Sequence, residues 1–177
     1  MVKKITFSNQ HSTIEDIEAF YFHSEKSSSL HFIETNSFFI GYSKLELESE
    51  LREYKNSLDR MCSLEVLAML EARFKIDYLL RCQNKRRDTL SRKFRLIHKE
   101  KENRASLTDD ILLAWKTIYP QYKKELDKFQ KALDYRNWLA HGRYWQPRHA
   151  PHISQYDYLS ISLLGSEILK KMDLIEE

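Results

Sequence analysis

Along residues 44–82 the apolar positions recur at helical spacing. Leu47, Leu51, Tyr54, Leu58 and Met61 step by four and three, and the dense run 64–70 is followed by Ala72, Phe74, Ile76, Leu79 and Leu80. Such steps place the side chains on one face of a 3.6-residue helix, the face a globular protein turns to its core. Ser63 suits the cap of a second helix, so the stretch reads either as one long helix or as two. Tyr122, Leu126, Phe129 and Leu133 repeat the 4,3,4 step in a helix over 121–141, with Pro120 near its first turn and Gly142 suited to the left-handed position after its end. Between them, Ser106 and Asp109 have the form of a capping box opening a helix through Ile118. After a loop at 145–151, Leu159, Ile161, Leu163, Leu164, Ile168 and Leu169 mark a final helix ending near Met172.

Residues 1–43 follow a different pattern. Ile5 to Phe7 suits a short strand, and Thr13 with Asp16 suits a helix start whose apolar face is Ile14, Ile17, Phe20 and Tyr21. Residues 24–29 read as a polar loop, and 30–42, rich in β-branched and aromatic residues before Gly41, as a strand or hairpin. The expected organisation is an N-terminal appendage of mixed structure at 1–43 and a helical domain at 44–177. Composition sharpens the fold class. The 177 residues include only three Gly and three Pro, with none of either between Gly41 and Pro120. A breaker-free run of that length points to an all-α, antiparallel bundle of about four to six helices.

Charge adds a second feature. Ten Lys or Arg against three acids fall within 81–104, a net +7 in a chain whose total is +3. A concentrated basic stretch in an otherwise mildly acidic protein suits a polyanion such as RNA, with Lys85, Arg86, Arg87, Arg92 and Lys93 as candidate phosphate contacts. The alternative is a solvated surface helix, since apolar periodicity there is limited to Leu90, Phe94 and Ile97. Cys62 and Cys82, twenty residues apart in a helical pattern, would lie about 30 Å apart on a continuous helix and could not bridge. Two unpaired thiols, no signal-like h-region and no membrane-length apolar run lead to the expectation of a soluble cytoplasmic protein with no membrane partner. No Gly-rich phosphate loop or zinc-type spacing occurs, and His149 and His152 lack nearby ligand partners, so no cofactor or metal is expected.

The densest chemistry lies at the end of the 121–141 helix, in Asp134-Tyr135-Arg136-Asn137-Trp138-Leu139-Ala140-His141-Gly142-Arg143-Tyr144-Trp145. Asn137 and His141 are i,i+4 neighbours on one face, and Arg136 is one position round with a side chain long enough to bend toward the imidazole. The apolar stripe runs on into Arg136 or Asn137 and then Ala140, while Ala132, Tyr135, Trp138 and Leu139 make this end apolar nearly all round, as expected of a helix end buried in a core or against a partner. Arg136, four intervening residues and His141, with Asn137 after the arginine and Ala-His-Gly at the close, resemble the R-x(4–6)-H signature of the HEPN superfamily. The resemblance covers about 45–172. It implies a small all-helical domain, metal-independent endoribonuclease activity, a homodimer with both motifs at its two-fold interface, and a toxin or defence role with a nucleotidyltransferase-like antitoxin as a possible protein partner. On that basis Arg136, Asn137 and His141 are the candidate catalytic residues, with Arg143 and Tyr144 as further RNA contacts.

The chemistry fits those residue types. RNA carries its own nucleophile in the 2′-OH, so the protein has only to move protons and stabilise charge. An imidazole, with an unperturbed pKa of ~6.5, exchanges protons near neutrality. A guanidinium is always cationic and its fork suits phosphate oxygens. A structural reading stands beside this one: a histidine at a helix C-terminus favours the helix dipole, and Arg136 can pair with Asp134, Glu125 or an acid elsewhere. A domain of this kind can also be non-catalytic, a helical module binding RNA, nucleotide or protein.

Overall fold

The computed structural model describes residues 12–143 and 156–176. Its helices are α1 (Ile14–His31), α2 (Lys44–Gln83), α3 (Thr89–Lys101), α4 (Leu113–Ile118), α5 (Lys123–Ala140) and α6 (Tyr158–Lys171), and no strand occurs among the described residues. The fold is therefore all-α. None of these helices is long and apolar enough to cross a membrane.

The axis of the bundle is α2, one uninterrupted helix of 40 residues, about 60 Å long. It opens on a capping box in which the Ser43 hydroxyl accepts the Glu46 N–H and the Glu46 carboxylate accepts the Ser43 N–H. Ser63 caps nothing; it is buried mid-helix beside Cys62, Val66 and Leu67, whose packing holds that turn in the core. α1 runs antiparallel to α2, with Tyr21 donating to Asp59, Lys55 reaching Glu25 and Phe32 against Tyr54. α5 is also antiparallel and stacks Phe129 on Phe74 at 5.5 Å. α6 runs parallel to α2: the Tyr158 N–H donates to Asp59 at its start, and beyond its end the Ile175 N–H donates to Asp77. Trp115 of α4 closes the core edge-on to Phe74. Burying each such aromatic contributes about 1.5–3 kcal/mol. At Gly165 of α6 a Cβ would lie 3.2 Å from both Ile14 and Val66, so α1, α2 and α6 converge on a residue with no side chain.

Three expectations are corrected. Residues 24–29 are not a loop, because α1 continues through them; the Ser28 and Ser29 hydroxyls donate to the Glu25 carbonyl one turn back, which keeps serines within helical backbone. Residues 30–42 form no strand or hairpin: they finish α1 and make a 3-10 turn at Ser37–Phe39, capped by the Asn36 side chain accepting the Phe38 N–H. Their β-branched and aromatic residues favour strands only on a half-buried pleated surface, and this end of a helical hairpin provides none. The expected apolar face of α1 is also revised, since Ile14 and Ile17 enter the common core and Tyr21 stacks on Tyr158 at 3.9 Å, whereas Phe20 is exposed. Residues 5–7 lie outside the described part.

Other local expectations hold with small offsets. Ser106 caps the segment before α4, but the first turn is a π turn, Leu107–Leu112, in which the Ser106 carbonyl accepts from Asp110 and Ile111, so the Ser106 N–H goes to the Asp110 carboxylate rather than to Asp109. Cys62 and Cys82 are free and buried. Burial pushes their thiols up to about 11 and about 12, so both stay protonated at neutral pH.

Candidate functional site

α5 ends at Ala140 with His141 as its C-cap. Gly142 takes the left-handed conformation at φ 81°, the Gly142 N–H donates to the Leu139 carbonyl, and the Arg143 N–H donates to the Trp138 carbonyl at 3.1 Å. Those two bonds form a Schellman motif, which satisfies carbonyls that a helix end otherwise leaves open. His141 and Asn137 are both exposed and share a face, as their spacing requires. Arg136 reaches both Asn137 and α2. Five positions on an α-helix separate it from His141 by about 140° around the axis, and its guanidinium turns to α2, where Nη2 makes an ion pair with Glu71. Its Nη1 donates to Asn137 Oδ1 at 2.9 Å. Glu71 also accepts from Lys75 at 2.7 Å, so this carboxylate sits between two cations. Nothing in the local pattern of α2 marks Glu71, because its role depends on a helix 65 residues away in the chain.

The apolar end of α5 is largely used within the chain. Tyr135 is buried and stacks on Tyr156 at 5.2 Å and on Trp138 at 6.0 Å, while Trp138 and Leu139 are half-buried against the core. The apolar stripe runs into Arg136 as expected but not on to Ala140, which is exposed. Of the two expected settings for this apolar end, a core or a partner, the chain's own core takes Tyr135 fully and Trp138 and Leu139 in part. Arg143 is exposed at φ 61°. Tyr144, Trp145, His149 and His152 lie outside the described residues.

The basic segment divides into structural and exposed parts. Arg81 is buried: Nε donates to Asp77 at 2.7 Å, Nη2 to the Asp173 carbonyl at 2.6 Å, and the guanidinium lies 5.3 Å from the Trp115 ring. α3 is amphipathic, solvated on one face and packed into the core on the other. Asp88 caps it by accepting the Ser91 N–H, and Leu90 and Phe94 are fully buried. Lys101 is paired with Asp110 at 2.7 Å. Lys85, Arg86, Arg87, Arg92 and Lys93 are exposed, with Arg86 3.9 Å from Asp88. α3 packs on α2 and α4, whereas α5 packs on α2 and α6. Gln83, where α2 ends before Lys85, lies about 18 Å along the axis from Glu71. The tertiary structure thus sets the basic turn apart from the Arg136–His141 end.

A second cationic surface lies on the motif helix itself. Lys124, Lys128 and Lys131, spaced at i, i+4 and i+7, form an exposed stripe with Lys123 beside it, and none of the four is in an ion pair among the described residues. Lys128 and Lys131 wall a groove of about 380 Å³ between α5 and α6, with Tyr156, Ser160 and Leu163 opposite. The stripe points along α5 toward the Tyr135–Trp138–Tyr156 stack. A charge count along the chain overlooks it because Glu125 and Asp127 dilute the sum. Both acids are neutralised elsewhere: Glu125 by Lys171, Asp127 by Lys116, each at 2.7–2.8 Å. The Lys171 ammonium holds the Glu125 carboxyl below its usual range, and the Lys116 ammonium does the same for Asp127. No cluster of three or more His, Cys, Asp or Glu suited to a metal occurs among the described residues. No family model, no curated protein and no solved structure matches this chain.

Proposed function

We propose that the chain is a metal-independent endoribonuclease of the HEPN type, a toxin or other defence effector acting in the cytoplasm. The observation that supports it most is an exposed histidine closing a helix whose flank is a stripe of unpaired lysines leading to an aromatic stack. In the reaction the substrate 2′-OH attacks its own phosphorus and the bond to the 5′ oxygen breaks, with one proton leaving the 2′-OH and one reaching the leaving oxygen. His141 carries one of these protons. Arg136, released from or shared with Glu71, stabilises the charge gathering on the phosphorane, and Asn137 holds the guanidinium in place. The lysines of α5 track the backbone while Trp138 offers a ring to a base. Arg143 and Tyr144 extend the phosphate and base contacts beyond the helix. One imidazole supplies one proton carrier, so a second motif across a two-fold axis would supply the other. In this reading the chain is a homodimer whose activity a nucleotidyltransferase-like antitoxin would restrain.

The second reading is a non-catalytic helical module binding RNA, nucleotide or protein. The Arg136–Glu71 ion pair favours it, because a guanidinium already neutralised by a carboxylate has less charge to offer a phosphate. Cleavage separates the two. A 2′-OH mechanism proceeds in EDTA, stops when the nucleotide at the cut is 2′-deoxy, and leaves a 2′,3′-cyclic phosphate or 3′-phosphate end. Products ending in a 3′-hydroxyl would overturn the mechanism, and absence of cleavage across varied RNAs and salts would favour the binding module.

Binding has its own test. Neutralising three phosphates on a single strand contributes a slope of about −2 to log K against log salt, at roughly −0.7 per phosphate. Reversing Lys124, Lys128 and Lys131 to Glu should flatten the slope by about that much, and should weaken binding more than reversing Lys85, Arg86 and Arg87. Equal slopes in the wild type and the α5 variant would remove this face from the RNA path.

A further inference from the structure

The groove between α5 and α6 joins a cationic wall to an aliphatic one. Lys128 and Lys131 line it from α5, while Ile161, Leu163 and Leu164 line it from α6, around a space of about 380 Å³. Ile161 and Leu164 belong to the core, but Leu163 is 71 % exposed on the groove's edge, and Leu159, one turn earlier on α6, is 51 % exposed. The acid that lines this groove, Glu167, is taken by Lys171 at 2.6 Å. Lys128 and Lys131 pair with no acid among the described residues, since the nearby Asp127 goes to Lys116 and Glu125 to Lys171. Position in the fold, rather than composition, thus sets unpaired positive charge beside an exposed leucine.

That charge narrows the occupant. The chain's own stretches outside the described part do not complement it, because residues 1–11 and 144–155 contain no Asp or Glu and carry Lys3, Lys4 and Arg148. A two-fold contact through this groove would bring two lysine walls together. RNA matches the lysines but not the opposite wall: its bases stack on aromatic rings and guanidinium planes, whereas the ring lining this groove, Tyr156, already stacks on Tyr135 at 5.2 Å. A small molecule is buried by roughly 70–90 % in its pocket, and a trough with an outward leucine on its edge does not enclose one. A helix fits both walls. α5 and α6 run antiparallel, Lys171 at the end of one bonding Glu125 at the start of the other, and the trough between two such helices seats a third at about 8–10 Å from each axis. Its apolar anchors would meet Leu159 and Leu163. Lys124, Lys128 and Lys131 span about 10.5 Å along α5, so carboxylates at the same i, i+4, i+7 spacing on that helix would meet all three.

We infer that the α5–α6 groove docks an acidic amphipathic helix of a second protein, with its apolar anchors on Leu163 and its carboxylates on Lys128 and Lys131. Docking does not depend on the ribonuclease reading. In that reading the helix has a further effect, because it covers lysines laid along the RNA backbone and so competes with substrate.

The probe is a fluorescent synthetic helix as long as α5, 18 residues, with leucines along one face and glutamates along the flank beside it. Its binding to the full chain is read by fluorescence anisotropy, against a control peptide carrying Gln in place of each Glu. The acidic peptide should bind at micromolar concentration. The Gln control, Leu163→Ser, and Lys128→Glu with Lys131→Glu should each weaken binding by about tenfold or more, as expected when an anchor or a charge pair is lost from an interface. Reversing Lys85, Arg86 and Arg87 should leave the affinity unchanged. All the substituted side chains are exposed, so circular dichroism should report the same helical fold in every variant. Failure of the acidic peptide to bind, equal binding of the two peptides, or binding indifferent to Leu163→Ser would overturn the proposal. An oligouridylate that binds, and is weakened by the lysine reversals, where the peptide does not bind would assign the groove to RNA instead. A wild type that binds the peptide yet cleaves no RNA would count against the ribonuclease reading and leave the docking site standing.

Discussion

Replacing His141 with alanine should lower RNA cleavage by about 10²–10⁴-fold, the span expected for loss of a positioned acid or base, in a protein that folds as before. The second half of that expectation rests on how α5 ends. The cap is built from backbone groups, the Gly142 and Arg143 N–H groups donating to the Leu139 and Trp138 carbonyls, and His141 itself is exposed. A side chain's interaction with the dipole of a helix end is worth about 0.3–1 kcal/mol, too little to unfold the chain. Arg136→Lys should be impaired for a different reason. The forked guanidinium touches Glu71 and Asn137 at once, and a single ammonium cannot reproduce that geometry. Single-turnover cleavage beside a thermal melt reads both variants. Full activity in a folded His141→Ala protein would end the proton-transfer role assigned to this residue.

The largest effect on stability is expected at Arg81. Arg81→Met should cost about 3–5 kcal/mol, as when one partner of a buried ion pair is removed, and should lower the melting temperature by roughly 10 °C. Arg81 and Asp77 are 3 % and 0 % exposed, and their cluster ties α2 to the chain after α6 through the Asp173 carbonyl and the Ile175 N–H. Burial already holds the Asp77 carboxyl above its usual range, with Arg81 opposing that rise. Removing Arg81 raises it further. A carboxyl whose folded pKa lies above its unfolded value weakens the fold most above the folded pKa, and the penalty disappears below the unfolded one. The deficit of Arg81→Met should therefore be largest at neutral pH and shrink in acid, which urea unfolding at several pH values would reveal. Replacing Asp77 by Leu in the same chain should restore much of the loss. A pH-independent deficit would show that lost packing on Trp115, not the stranded carboxylate, sets the cost.

The helices were legible because their signals are local. Periodicity, the caps at Thr13 and Ser106, and Gly142 after α5 all act within a few residues of one another. Misreadings arose where local chemistry admits two outcomes. Serines at 24–29 suit a loop, yet bond back into α1 once Ile14 and Ile17 anchor it. Aromatic and β-branched residues at 30–42 suit a strand, yet no neighbouring strand is present among the described residues.

By itself the sequence determined the all-α class, the helical character of 44–82 though not whether it is one helix or two, the position of the motif at a capped helix end and the sharing of one face by Asn137 and His141. Only the tertiary structure decided which charges are available. Arg81 was counted with the basic segment and is buried, Arg136 was read beside His141 and is turned to Glu71, and the α5 lysines stand unpaired because Lys116 and Lys171 take the neighbouring acids. The physical reason is range. A helix is specified by contacts three and four residues apart, whereas the acid that takes Arg136 lies across packed helices, 65 residues away, and the burial of Arg81, though it pairs with Asp77 one turn back, depends on the Asp173 carbonyl 92 residues on.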